Sequence, residues 1–473
     1  MTVYILGGGP AGLALADALA EAGGPRFVLV ERDNQLGGLA RTLEWENRGA
    51  HDLGPHKIFS LDQALTARVR SLLPADGWIT RPKASRIYMR GHMLPYPPSP
   101  LSLGKVFGWA PFVGMVWDYG WARIRSLLGR AAPRTFEEDL AGRVGRGLYE
   151  ALFKPIALKL WGDPVNLDVK LSAGRVQTPP LMELIARTLG LSKKSQFEAL
   201  EFEYPKGGLQ RIWDAIHRKA QPHGEFLLGT EVTKIEVAGG RIARLGLRDR
   251  AGGAERVIDL GPDDFVMSSI PLGRLLVLMG DAVDNGVRER AADVLRLNDL
   301  ILVFLHVDTP SLFEDSWIFV PDPAVVFHRI SEQESFDPGM TGNGSIVCCE
   351  VMDNETRPMM ELADEELVKR VEEGLRSMGY RFDAGASRVI RLRSSYPVFR
   401  PGFEGALTDV LATLDSIGNF RTLGRQGAFN YIGTLDAMDI GYGAARWYLA
   451  RKPGAPDGWQ SERERTRHYP VLD

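Results

Sequence analysis

The chain has 473 residues, 44% of them hydrophobic and 25% charged, so it is neither disordered nor fibrous and is long enough for two or three domains. Its 57 basic and 60 acidic residues leave a formal net charge of −3, which excludes a basic nucleic-acid footprint. The two cysteines, Cys348 and Cys349, are adjacent, which excludes a disulfide framework and points to a reducing, cytoplasmic compartment.

Met1–Leu6 lacks the charged leader and cleavage site of a signal peptide. The run Val3–Leu6 predicts a strand. Gly7-Gly8-Gly9-Pro10-Ala11-Gly12 follows, then an Ala- and Leu-rich helix to about Ala22, then a second apolar run, Phe27–Val30, ending at Glu31. Strand, GxGxxG, helix, strand and acid in that order predict a dinucleotide site. Gly7 permits the tight turn, Gly9 lets a pyrophosphate approach the backbone, and Gly12 lets helix and strand pack closely. The helix N-terminus supplies N–H groups for the phosphates, and Glu31 is placed to accept from ribose hydroxyls. Gly37-Gly38, soon after Glu31, resembles the FAD-binding extension of the glutathione-reductase type. That resemblance implies non-covalent FAD in a Rossmann-like α/β domain.

Residues 76–203 read as largely helical, with apolar periodicity at Leu148, Leu152, Ile156 and Leu160. Residues 106–117 are twelve apolar residues, too short to span a bilayer. A buried helix wall is the first reading of that run, and a membrane-interface surface the second. Pro205-Lys206-Gly207-Gly208 predicts a turn into a helix over 209–219. Strand-like runs follow at 225–228, 231–237 and 241–247, and a buried strand at 264–270 returns to the nucleotide sheet. Residues 272–395 mix helices with strands such as 300–307 and 317–320. A last strand at 420–424 leads to a loop and a helix through Ala445, and the tail from Lys452 reads as solvated. The expected organisation is an interleaved pair: 1–75, 204–271 and 396–450 as the FAD-binding domain, 76–203 and 272–395 as a mixed α+β substrate domain, and 451–473 as a polar tail.

Several segments resemble one family in order and interval across nearly the whole chain. Gly54-Pro55-His56-Lys57-Ile58-Phe59 resembles the G-[GP]-H-x-x-F segment of UDP-galactopyranose mutases. Pro133–Phe136 resembles their P-x-T-F helix start, and Phe153 through Pro155 and Lys159 to Trp161 their Phe, Pro, Lys and Trp element. Gly174-Arg175-Val176, Trp317–Pro321, Phe327-His328-Arg329, and finally Gly424-Arg425, Tyr431 and Asp436–Gly441 complete the set. The same outline occurs in the wider amine-oxidase and protoporphyrinogen-oxidase-like FAD superfamily.

The resemblance implies that His56 lies by the flavin and that Gly424, Arg425 and Asp436 close the cofactor site. It also implies that Arg175, Arg329, Tyr396 and Tyr431 hold the diphosphate of a nucleotide sugar or glycan precursor. In such mutases reduced flavin handles the anomeric carbon through N5, without net redox. The alternative within the superfamily is an oxidoreductase that passes hydride from an amine or hydrophobic substrate to flavin. No motif suggests a metal site or a protein nucleophile, so the reactive group is expected to be the cofactor.

Overall fold

Thr2–Leu6 is the central strand of a five-stranded sheet, and four of its five side chains are buried. The order is Phe420–Thr422, Phe265–Ser268, Thr2–Leu6, Arg26–Val30, Gly224–Leu227, and every pairing is parallel. Parallel strands need crossovers. Here they include helix Pro10–Glu21 and long excursions through the rest of the chain. The computed structural model describes residues 1–127, 132–175, 201–452, 457–467 and 469; for Leu127 and 173–175 it describes the backbone alone.

The second large sheet is mixed and has seven strands. Its order is Ala384–Phe399, Leu295–Val307, Ser345–Asp353, Arg329–Glu332, Trp317–Phe319, Ser85–Met89, His92–Pro95. It is buried on both faces along its middle. On Leu295–Val307 the residues Ile301, Val303 and Leu305 face a cluster that includes Leu367, Val371 and Leu375 of helix Asp364–Ser377. Leu300, Leu302 and Phe304 face the other way, toward Leu53 of the nucleotide half. The period of two explains the adjacent cysteines, because Cys349 joins the first cluster and Cys348 the second. Both thiols are free and buried, and burial pushes both far up from the ordinary thiol range.

Three expectations are corrected here. Residues 78–95 are three strands rather than helix: Trp78–Pro82, Ser85–Met89 and His92–Pro95. They are short and punctuated by Pro82 and Pro95, which masks their alternation. The tail is not simply solvated. Trp459 is buried against the ring of Trp447, and Arg463 and Arg465 pair with Asp415 and Asp439. The run 106–117 is not a buried wall. Gly108, with φ of 82°, splits it between helices Pro100–Phe107 and Trp109–Leu127, and only Phe107 and Phe112 are among its well-buried large side chains. Trp109, Val113, Val116 and Trp117 are exposed because the second helix packs on one side alone.

Candidate functional site: a glycine turn facing an arginine-bearing sheet

The turn after Thr2–Leu6 is built by contacts that side chains would prevent. A Cβ on Gly12 would sit 2.1 Å from the carbonyl oxygen of Gly7, so no other residue fits there without moving the strand end. Gly9 is the N-cap of helix Pro10–Glu21, with no side chain capping the first turn. A Cβ there would meet nothing closer than Gly38 Cα at 4.0 Å, so its space is open. The second glycine pair closes onto the first. Gly37 N donates to Gly8 O at 2.8 Å, and a Cβ on Gly38 would lie 3.1 Å from Gly9 Cα.

Glu31 ends strand Arg26–Val30 and is buried. Its Oε2 accepts from Gly8 N at 2.7 Å and its Oε1 from Asp33 N at 3.0 Å. Burial raises its pKa, while those two amides oppose the rise. In this arrangement Glu31 fixes the shape of the glycine turn.

Gly424-Arg425 arrives at the same place from the far end of the chain. A Cβ on Gly424 would lie 3.3 Å from Ala11 Cβ, at the start of the first helix. Arg425 Nη1 donates to Ile432 O at 2.9 Å, and its guanidinium lies 4.5 Å from the Tyr396 ring centre and 5.3 Å from that of Tyr431. Its Nε and Nη2 are buried with no hydrogen-bond partner among the described residues. Two orphaned donors beside an open glycine cap suit an anionic or carbonyl-rich ligand, so the residues present fit a flavin dinucleotide. Asp436 sits differently. Its Oδ2 accepts from Gly433 N at 2.9 Å and so caps helix Thr434–Ala450.

Opposite the turn stands the seven-stranded sheet. Arg329 pairs in register with Glu350 of the next strand, and its Nε and Nη2 both donate to that carboxylate, the second at 2.9 Å. Glu350 is 1% exposed, so the pair is anchored in the sheet. His328 Nε2 lies 3.9 Å from the same carboxylate. Lys159 is equally buried, and its Nζ donates to Val320 O at 2.7 Å and Phe327 O at 2.9 Å. It thereby ties helix Lys154–Leu160 to the segment that leads into Arg329, and burial pulls its pKa down to about 6.

His56 lies between the two halves. Its Nε2 is 3.2 Å from Leu53 O. Loss of solvation, reinforced by the charges of Arg329 and Arg425, lowers its pKa to about 4, so it is a neutral imidazole near pH 7. The structure thus brings together His56, Arg329, Arg425, Tyr396 and Tyr431; the two tyrosine rings are 5.6 Å apart. Arg175 ends helix Val169–Arg175, and its side chain lies outside the described residues.

Sequence reasoning missed two members. Glu350, the partner of Arg329, was signalled only by a carboxylate inside the apolar run 345–352. Asp52 is the other: it accepts from Thr42 Oγ1 at 2.6 Å, Tyr204 OH at 2.5 Å and Leu209 N at 3.4 Å, and its own N–H donates to Gln333 Oε1 at 3.1 Å. That network stitches the nucleotide half to the sheet, and burial raises the Asp52 pKa to about 6.

Comparison with known proteins agrees with this fold. Residues 5–72 match the profile of an NAD(P)-binding Rossmann-like domain, and residues 158–402, more than half of the chain, match that of flavin containing amine oxidoreductases. A crystal structure of reduced UDP-galactopyranose mutase superimposes with a TM-score of 0.83 at 21% identity, covering 100% of both chains. A proposed protoporphyrinogen oxidase from Exiguobacterium sp. 255-15 gives 0.71 at 17% identity, over 95% of this chain and 99% of that one. A putrescine oxidase variant redesigned in its cofactor binding gives 0.63 at 16% identity, over 95% and 100%. At these identities the likeness is one of fold.

Proposed function

The chain belongs to the flavin containing amine oxidoreductases, and from that premise we propose that it is an FAD-dependent mutase acting on a nucleotide sugar with its flavin reduced. The observation that supports this reading is the convergence of Arg329 and Arg425 on a neutral His56, with the rings of Tyr396 and Tyr431 beside Arg425. In this reading Arg425 serves the cofactor, and the Arg329 fork, with the Arg175 that the family resemblance adds, suits the substrate diphosphate. When bound, flavin supplies a nucleophile at N5 if reduced and a hydride acceptor if oxidised.

In this reading Gly9 and the N-terminus of helix Pro10–Glu21 receive the cofactor pyrophosphate. Arg329, its plane fixed by Glu350, neutralises the substrate diphosphate, more strongly as it leaves. Arg175 belongs to the same proposed set. Tyr396 and Tyr431 donate hydroxyl hydrogen bonds to the diphosphate oxygens. His56, uncharged, stands by the flavin without adding a third positive charge. We assign the cofactor to 1–75, 204–271 and 396–450, and the substrate to 76–203 and 272–395. We place the protein in the cytoplasm.

The test is stopped-flow mixing with UDP-galactopyranose, once with oxidised and once with dithionite-reduced enzyme. The expected result is turnover by the reduced enzyme alone, without consumption of reductant. The fold likeness to a putrescine oxidase favours a second reading, hydride transfer from an amine. Bleaching of the oxidised enzyme by putrescine or a related amine would establish that reading and overturn the first.

A further inference from the structure

Helix Trp109–Leu127 advances 100° per residue, which sorts its side chains into two faces. Phe112, Met115, Tyr119 and Ala122 share the inner one. Phe112 is buried with Leu94, Leu103 and Phe107, and Tyr119 packs on the cluster of Phe136 and Leu140. The acid on this helix, Asp118, is tied down, because its Oδ2 accepts from Gly147 N at 2.7 Å. The outer face is apolar and uncovered: Trp109 is 55% exposed, Val113 63%, Val116 46%, Trp117 79%, Trp121 46% and Ile124 48%. Leu101, on the preceding helix, adds to it at 55%.

Charge says what covers this face. On the same wheel Arg123 borders the apolar arc on one side and Arg125 on the other, and both are exposed. The Arg125 guanidinium lies 5.4 Å from the Trp121 ring centre. Within the arc there is no acid. A second copy of this face would set cations against cations with no carboxylate between them. A bilayer surface offers what both parts require. Apolar side chains enter the headgroup–acyl boundary, indoles settle at that depth, and arginines on the rims meet lipid phosphates. No helix among the described residues is long and apolar enough to cross a membrane, so the contact is lateral.

We propose that helix Trp109–Leu127 is an interfacial anchor that lies flat on an anionic lipid surface. The inner face of the helix packs beside the His92–Pro95 edge of the seven-stranded sheet, so docking turns that edge toward the membrane with the helix between them.

The experiment uses the full-length holoenzyme and two sets of vesicles, phosphatidylcholine alone and an equal mixture with phosphatidylglycerol. Co-sedimentation with the mixed vesicles, weakened by salt, is expected, with a blue shift of tryptophan emission and quenching by brominated lipid. The double variant Val113→Glu/Trp117→Glu should lower partition on the order of tenfold or more. Arg123→Glu and Arg125→Glu should each lower it roughly fivefold on mixed vesicles. Both positions of the double variant are exposed, so its flavin absorbance should stay that of the parent. Absence of vesicle binding by the parent protein overturns the proposal. So does a concentration-dependent dimer that the double variant abolishes while vesicles bind neither form, since the face would then belong to a second copy.

Discussion

The glycine turn and the Arg329 face of the sheet each bury a carboxylate, and they hold it by opposite means. Glu31 accepts from backbone amides at Gly8 and Asp33, supplied by the turn it stabilises. Glu350 accepts from the guanidinium of Arg329, which reaches it across a strand pair. In the first region the chain's own path makes the site, and side chains are mostly kept out. In the second a rigid sheet presents side chains whose charges satisfy one another. A change in the turn should therefore act through space and backbone, and a change on the sheet through charge left unpaired.

The largest effect should come from the turn. Gly12→Ala puts a methyl group 2.1 Å from a backbone oxygen and should yield no folded protein. Gly9→Val meets open space, so it should fold with parent-like circular dichroism but carry no flavin absorbance. If both variants lose flavin yet fold equally well, the turn is not held as described.

On the sheet, Arg329→Ala leaves Glu350 buried without its partner and should destabilise the protein by about 3–5 kcal/mol. Urea unfolding reads that cost, and turnover should fall with it. Arg329→Ala combined with Glu350→Gln should recover much of the stability and none of the activity. That outcome separates holding the sheet together from acting on a ligand.

The smallest effect lies at the seam between the regions. Burial raises the Asp52 pKa to about 6, above its value in the unfolded chain, so the native state binds this proton more tightly. The stability tied to it is present at low pH and is lost as pH rises toward 6. About 2–3 kcal/mol is involved. Asp52→Asn should flatten the unfolding midpoint between about pH 4 and pH 6. An unchanged slope would mean that another group carries it.

The same contrast governs what can be read from the sequence. The first helix and strands and the two glycine pairs are legible, because each demand is met within 38 residues of the start. The return strand Phe265–Ser268 was legible as an uninterrupted apolar run. Glu350 was not assigned, because its partner is chosen by antiparallel register and not by spacing. His56 stood out through Gly54-Pro55, but its neutrality follows from burial, reinforced by two arginines that the fold brings near it. Asp436, read from a motif as a cofactor residue, also caps its own helix, a local role that the motif does not show. Composition marked 106–117 as apolar and was silent on which side of the protein wall it occupies. In the tail, the anchor Trp459 was hidden among charges whose partners, Asp415 and Asp439, lie in earlier helices.

The strand order of the nucleotide sheet has a consequence for how the protein is made. Its strands come from residues 2–6, 26–30, 224–227, 265–268 and 420–422. At about 5–20 residues per second, roughly 20–80 s separate the first strand's exit from the ribosome and the last one's. For that whole interval Thr2–Leu6 has an incomplete sheet beside it, with an open edge of amides and buried-type side chains awaiting neighbours. Gly424-Arg425, which closes the turn, emerges later still. Closure of the glycine turn therefore waits until residue 424 has emerged, and until then the nascent sheet depends on its apolar edge being shielded.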